Sequence, residues 1–254
     1  MNICDFFNEN EKPLDRLPSD GGFANIFRSI ACIGDSLSSG EFELIADDGT
    51  THTYHDMFEY SWGQFMARTT GAKVLNFSRG GMTARAYLED FADNSGFWNV
   101  NLKCQAYIIA LGVNDLFGEK QAIGSTDDIK ENWKDNPPTF AGRLGAIVQR
   151  YKTISPDAKF FFVTMPKESE DRDDIRQAHR KLMYDFAEKF DNSYVIDLYQ
   201  YAPRYDDEFR KKFYLYGHLN PAGYSLTAKM MLSYIDYIVR HNLDDFKKLG
   251  FVAK

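Results

Sequence analysis

A serine, a histidine, an asparagine and a pair of glycines are the residues of this chain whose types and settings suit acyl transfer. Ser36 follows the apolar run "RSIACI" inside Gly34-Asp35-Ser36-Leu37. A buried strand that stops in a tight turn has three uses: it cradles an anion, presents a nucleophile, or turns a corner. With a strand giving way to a helix there, the hydroxyl projects above the sheet and the Ser36 N–H faces a nearby anion. A serine nucleophile needs a base. Of the five histidines, His218 stands in a loop directly before a marked helix start, with Asn220 a natural N-cap and Pro221 a natural first helical residue. Within reach of Ser36, His218 can take the hydroxyl proton as the serine attacks an acyl carbon and return it to the leaving alcohol. Three donors suit the resulting oxyanion: the N–H of Ser36, the N–H of Gly81 or of its neighbour Gly80, and the side-chain amide of Asn114. Glycine suits such a place because a Cβ would obstruct the approach of substrate to the backbone.

These residues matter only if the chain brings them together. Short apolar runs recur at 28–33, 73–77, 105–111, 158–165 and 193–198 and read as buried parallel strands. Between them, and after the last, lie stretches with helical spacing: "FEYSWGQFMARTTG", "PTFAGRLGAIVQRYKTI", "DDIRQAHRKLMYDFAEKF" and "PAGYSLTAKMMLSYIDYIVRHN". Strand alternating with helix predicts an α/β protein, a three-layer αβα sandwich around a central parallel sheet of about five strands. In such sheets ligands bind beyond the carboxyl ends of the strands, which is where Ser36, "SRGGMT" (78–83) and "GVNDLF" (112–117) fall. Residues 1–27 read as an irregular N-terminal leader and 28–254 as one domain. The polar stretch Gly118–Pro138 is long for a loop in a compact domain, which predicts a functional or mobile segment.

Composition narrows the partners. The chain has 254 residues, 30 basic and 37 acidic, for a net charge of -7. It therefore repels a polyphosphate backbone, and no nucleic-acid partner is expected. Cys4, Cys32 and Cys104 are odd in number and widely spaced, which fits neither a disulfide framework nor a zinc site and points to a reducing compartment. The start "MNICDFFNENEKPLD" has no basic segment leading into an apolar one, and no long apolar run spans a membrane. The expectation is a cytoplasmic protein with a small-molecule ester as substrate and no cofactor. There is no GxxxxGK[ST], and no GxGxxG opens a helix after the first strand, so nucleotide binding is disfavoured.

Four segments together resemble the blocks of the SGNH hydrolase superfamily, the GDSL esterases and lipases. Gly34-Asp35-Ser36-Leu37 matches the first, "NFSRGGMT" the second, Gly112-Val113-Asn114-Asp115 the third and "HLNPAGY" the last. They stand in family order over most of the chain. The resemblance implies a flavodoxin-like SGNH hydrolase fold and a carboxylic ester hydrolase with Ser36 as nucleophile and His218 as base. It also implies an oxyanion hole of Ser36, Gly81 and Asn114, with Gly80 as the alternative glycine. In one place the chain departs from the pattern. The residue three before the histidine, usually an Asp that orients it, is Leu215. Related esterases use a Ser-His dyad held by a backbone carbonyl, and a carbonyl within Tyr214–Gly217 is the favoured acceptor for His218 Nδ1, ahead of Asp206, Asp207 or Glu208.

The remaining polar residues receive plainer roles. Asp35 and Asp115 are expected to brace their loops through backbone hydrogen bonds. His52 and His55 form an HxxH beside Asp56 that reads as a surface loop, not a metal site. His179 and His241 read as surface or half-buried positions, and Trp62 as core. Arg79, beside the glycines, either holds a polar or anionic part of the substrate or makes a surface salt bridge. The expected activity is removal of a small acyl group, acetyl foremost, from a carbohydrate or other hydroxylated molecule. The alternatives are a lysophospholipase or acyl-thioesterase, and a non-catalytic binding protein of the same fold.

Overall fold

A computed structural model describes residues 8 and 10–249; Cys4 and the start of the leader lie outside the described residues. Among the described residues nine strands occur in chain order: β1 (Ser29–Gly34), β2 (Glu41–Ile45), β3 (His52–Asp56), β4 (Lys73–Ser78), β5 (Ala106–Ala110), β6 (Lys159–Val163), β7 (Ser193–Ile196), β8 (Tyr214–Leu215) and β9 (His218–Leu219). The four long helices are α1 (Trp62–Thr70), α2 (Phe140–Ile154), α3 (Asp173–Lys189) and α4 (Pro221–His241). Strands β4-β1-β5-β6-β7 form one five-stranded sheet, parallel throughout.

Strand side chains alternate between the two faces of this sheet, and the apolar runs supply both. Ile30, Cys32, Ile108 and Phe161 face one core with Trp62 and Met66 of α1 and Met231 and Ile235 of α4. Ala31, Ile33, Ile109 and Phe162 face the other with Leu144 and Ile147 of α2 and Leu182 and Phe186 of α3. Three of the four long helices start at a side-chain cap, and the one predicted from sequence, Asn220 with Pro221, is among them. Ser61 caps α1 through Gln64 N–H, Thr139 caps α2 through Gly142 N–H, and Asn220 caps α4 through Gly223 N–H with Pro221 at its first position.

Two antiparallel hairpins lie outside the sheet, β2-β3 and β8-β9. Neither is evident as an apolar run, because one face of each is polar. The first hairpin is anchored by Phe42, between the rings of Tyr60 and Tyr224, and by the Tyr224 hydroxyl, which donates to Glu41 O at 2.7 Å. His52 and His55 lie on β3 of this hairpin and not on a loop.

Two further segments are held against the core. The described part of the leader contains a single 3₁₀ turn, Gly22–Ile26, yet it is docked: Phe27 is core, Phe23 N–H donates to Asp236 of α4 at 2.7 Å, and Glu11 pairs with Arg240. The 118–138 stretch contains two 3₁₀ turns and is tied down as well. Thr139 donates to Asp128 at 2.7 Å, Asn136 donates to Gln149 at 2.9 Å, and Arg150 lies between the rings of Trp98 and Trp133. It pins α2 and lines no part of the site described next.

Candidate active site

At the carboxyl edge of the sheet, Gly34 of β1 is in register with Ser78 of β4 on one side and Ala110 of β5 on the other. The three segments that follow these strands therefore emerge side by side. Beyond β1 the chain makes one helical turn, Ser36–Ser39, capped by Asp35, whose carboxylate accepts from Leu37 N–H at 3.1 Å. Ser36 is the first residue of that turn, so its own N–H has no helical acceptor and is available to an anion. Burial pushes the Asp35 carboxyl up to about 6, against the Leu37 N–H and the nearby His218, which favour its charged form.

Beyond β4, Gly81 adopts a left-handed φ of +69° and has open space where a Cβ would stand, so a substrate can approach its amide. A Cβ on Gly80 would instead lie 2.0 Å from Glu41 Oε2, because the Glu41 carboxylate packs against that glycine. Beyond β5, Asn114 donates through Nδ2 to Met82 O at 3.2 Å, which joins the asparagine segment to the glycine segment. Asp115 joins them again: it is fully buried and accepts from Ala84 N–H at 2.9 Å and Gln121 Nε2 at 3.1 Å. Burial pushes its carboxyl up to about 7 despite the Ala84 N–H. His179, expected at or near the surface, is instead fully buried beneath this segment, with Nε2 donating to Leu111 O at 3.1 Å. Burial pushes its imidazole down to about 4, so it is neutral there.

His218 stands on β9, the second strand of a hairpin whose sharp turn includes Tyr216 at a left-handed φ of +58°. Its Nδ1 faces Glu43 Oε2 at 3.1 Å and its Nε2 lies 3.0 Å from Glu41 Oε1. Glu43 also accepts from Gly217 N–H at 2.7 Å and lies 2.5 Å from His52 Nδ1. Burial pushes the Glu43 carboxyl up, but the bonds from His52, His218 and Gly217 outweigh it and hold the group below the usual carboxylate range. Glu41 goes the other way: burial raises it, and the pull of His218 only partly offsets this. The Tyr54 ring meets the His218 imidazole edge-on at 5.8 Å.

The favoured backbone carbonyl is thus not the partner of Nδ1, nor are the three carboxylates upstream of the histidine. Asp206 caps the helix Asp207–Phe213 through Phe209 N–H, and Glu208 pairs with Lys212. Glu43 was missed. The signal for it was two glutamates two residues apart in "EFELI", which a strand places on one face.

Ser36, Asn114 and His218 line one pocket of about 380 Å³. A smaller apolar recess of about 70 Å³ adjoins it, lined by Leu37, Val163, Met165, Leu219 and Met231 among others. Arg79 is outside both, with its guanidinium over the Phe91 ring at 4.6 Å. Among the described residues no three His, Cys, Asp or Glu side chains are grouped to hold a metal ion, and no helix is long and apolar enough to cross a membrane.

Solved structures resemble this fold. No curated protein matches the chain by sequence. Among solved structures, a G-D-S-L family protein from Desulfitobacterium hafniense DCB-2 is 17% identical with a TM-score of 0.52, over 82% of this chain and 99% of that one. A family 3 carbohydrate esterase from Clostridium thermocellum is 14% identical with a TM-score of 0.55, over 84% of this chain and 97% of that one. A carbohydrate esterase family 2 enzyme with a carbohydrate-binding domain, from Corynascus thermopiles, is 16% identical with a TM-score of 0.56. It is covered over 65% of its length, against 82% of this chain. At these identities the likeness is one of fold. The GDSL-like lipase/acylhydrolase profile matches residues 32–226, from within β1 into α4 and across every segment of the site, and the chain belongs to that family.

Proposed function

We propose that the protein is a serine esterase that removes a small acyl group, acetyl foremost, from a hydroxylated molecule such as a carbohydrate. One observation carries this reading: a serine at a strand end, an asparagine amide and a carboxylate-held histidine share one pocket. Ser36 Oγ attacks the acyl carbon while His218, neutral with its proton on Nδ1, turns Nε2 from Glu41 to take the serine proton; the proton shared in the Nε2–Glu41 contact stays on the Glu41 carboxyl, which burial raises. The N–H groups of Ser36 and Gly81 and the Asn114 amide receive the negative oxygen. Glu43 holds Nδ1–H and stabilises the imidazolium, which then gives its proton to the departing alcohol. Water attacks the acyl-serine by the same route in reverse and releases the acid.

The small acyl group is supported by the apolar recess of about 70 Å³ beside Ser36, which suits an acetyl or propionyl chain and is short of room for a fatty acyl tail. The test is covalent labelling with a fluorophosphonate, together with turnover of 4-nitrophenyl esters of increasing chain length. Ser36→Ala is expected to abolish labelling and nearly all turnover in a folded protein, and rates are expected to fall sharply beyond propionate. Labelling that persists in Ser36→Ala refutes the mechanism; rates that climb with chain length refute the substrate assignment.

A further inference from the structure

The wall of the Ser36 pocket away from His218 carries charge that hydrolysis of a neutral ester does not need. Arg176 of α3 and Arg210 of the helix Asp207–Phe213 converge on one glutamate, Glu168. Arg176 Nη2 lies 2.5 Å from Glu168 Oε2, and Arg210 Nη2 lies 3.2 Å from Glu168 Oε1. All three line the pocket with Ser36. The Arg176 side chain is only 9% exposed and its guanidinium lies over the Phe117 ring at 4.8 Å, while Arg210 is 38% exposed. Each guanidinium has five N–H donors. Arg176 spends one more of them on Asp171 O at 3.0 Å, and the Arg210 guanidinium makes no other hydrogen bond among the described residues.

Two cations on one carboxylate leave this cluster with one net positive charge and several unused guanidinium donors on two different helices, while Asp35, the other acid lining the pocket, is occupied with Leu37 N–H. A partly desolvated charge in surplus disfavours folding unless something compensates it. The chain places other acids nearby, but they serve other partners: Glu170 pairs with Arg204, and Asp173 accepts from Gln177 and Tyr199. Planar, forked donors from two sides suit a carboxylate, which both guanidiniums already grip in Glu168. A single net charge also matches a monoanion better than a phosphate dianion.

We propose that Arg176 and Arg210 form a carboxylate subsite, and that the substrate is an O-acylated hydroxy acid, such as an acetylated uronic acid, whose acid group lies on the alcohol side of the ester. Glu168 is a positioning residue that holds the two guanidiniums apart and parallel to the incoming acid. This rests on the esterase reading above for the acyl half of the substrate, which the apolar recess takes.

The test uses three mono-O-acetylated methyl glycosides: of glucuronic acid, of glucuronamide and of glucose 6-phosphate. Acetate release by the wild-type protein is compared with binding to Ser36→Ala, which does not depend on turnover. The acid is expected to bind about 10-fold or more tighter than the amide, the scale of a charge-assisted pair, and to be favoured over the phosphate. The preference is expected to fall in 0.5 M salt, to be lost in Arg210→Gln and in Arg176→Gln, and to be partly kept in Arg210→Lys. Arg210 is the more exposed of the two, so its variants give the answer even where Arg176→Gln fails to fold. Equal affinity for acid and amide overturns the subsite, as does a preference for phosphate or one that survives in Arg210→Gln. Absence of Ser36-dependent acetate release alongside intact acid-selective binding overturns the esterase reading instead.

Discussion

Replacing Glu43 by glutamine keeps the side-chain length and removes the charge on which the histidine rests. In the folded protein three donors converge on this carboxylate: His218 Nδ1 at 3.1 Å, Gly217 N–H at 2.7 Å and His52 Nδ1 at 2.5 Å. At an effective dielectric of about 20, unit charges at the His218–Glu43 separation attract by about 5 kcal/mol. Catalysis receives only part of that, because the charge is shared with the other two donors. In addition, Glu41, 3.0 Å from Nε2, keeps a second carboxylate beside the ring. Taking half of the attraction as specific to the imidazolium transition state, the variant is expected to lose about 10²-fold in kcat with little change in KM. That is less than the loss of about 10⁴-fold typical where a lone acid orients the base. The sign of the pH dependence follows from the carboxyl being held below its usual range. Its charge is present at neutral and mildly acidic pH and is lost only as pH falls through that lowered value. Because that same charge also favours the imidazolium of the resting enzyme, the wild-type to variant ratio is expected to be greatest at neutral pH and to shrink as pH falls. The assay is steady-state hydrolysis of 4-nitrophenyl acetate across that range, with thermal melting to show the variant is folded. Activity within threefold of wild type in folded Glu43→Gln refutes the assignment, as does an equal loss in Asp206→Asn or Glu208→Gln.

Three further outcomes are expected. Asn114→Ala is expected to lower kcat by about 10²–10³-fold with little effect on KM, since an oxyanion donor acts on charge that develops during attack; a pure rise in KM would make it a substrate-positioning residue. Gly112→Ala is expected to cost about 2–3 kcal/mol in denaturant unfolding and to lower kcat through the shifted Asn114 segment. The residue sits at φ +131°, and its new Cβ would stand 2.8 Å from His179 Nε2. Burial raises the Asp115 carboxyl from 3.8 to about 7, so the folded state favours its proton. The stability this gives is full below the unfolded value and is lost as pH rises through the folded one. Wild-type stability is therefore expected to decline between pH 4 and 8 relative to Asp115→Asn, by up to about 4 kcal/mol, as read from denaturant titrations at each pH.

The parallel sheet and the residues at its carboxyl edge are written locally. An apolar run of five or six residues that ends in glycine or a small polar residue has few ways to be buried other than as an inner strand. The cap Asn220, followed by Pro221, marks a helix start from residue type alone. Ser36, Gly81 and Asn114 are therefore placed at strand ends by the sequence, because each stands only a few residues beyond its own strand; that those ends are neighbours follows from the order β4-β1-β5. The partners of those residues could not. Glu43 precedes His218 by 175 residues, and it reaches the imidazole because Phe42 and the Tyr224 hydroxyl seat the β2-β3 hairpin against the start of α4, directly after β9. A carboxylate three residues before the histidine would have been read from spacing; one delivered across two hairpins leaves no periodic trace, only a pair of glutamates at alternate positions of a short strand. His179 sits on a helix with one buried and one exposed face, and packing against Gly112 decides that it lies on the buried one. Glu168, Arg176 and Arg210 likewise come from separate segments and meet only where α3 and the helix Asp207–Phe213 close over the pocket. Backbone propensity and capping act within a few residues and are visible along the chain. Charge pairing across hairpins and helices depends on how those elements dock, which is a property of the assembled core.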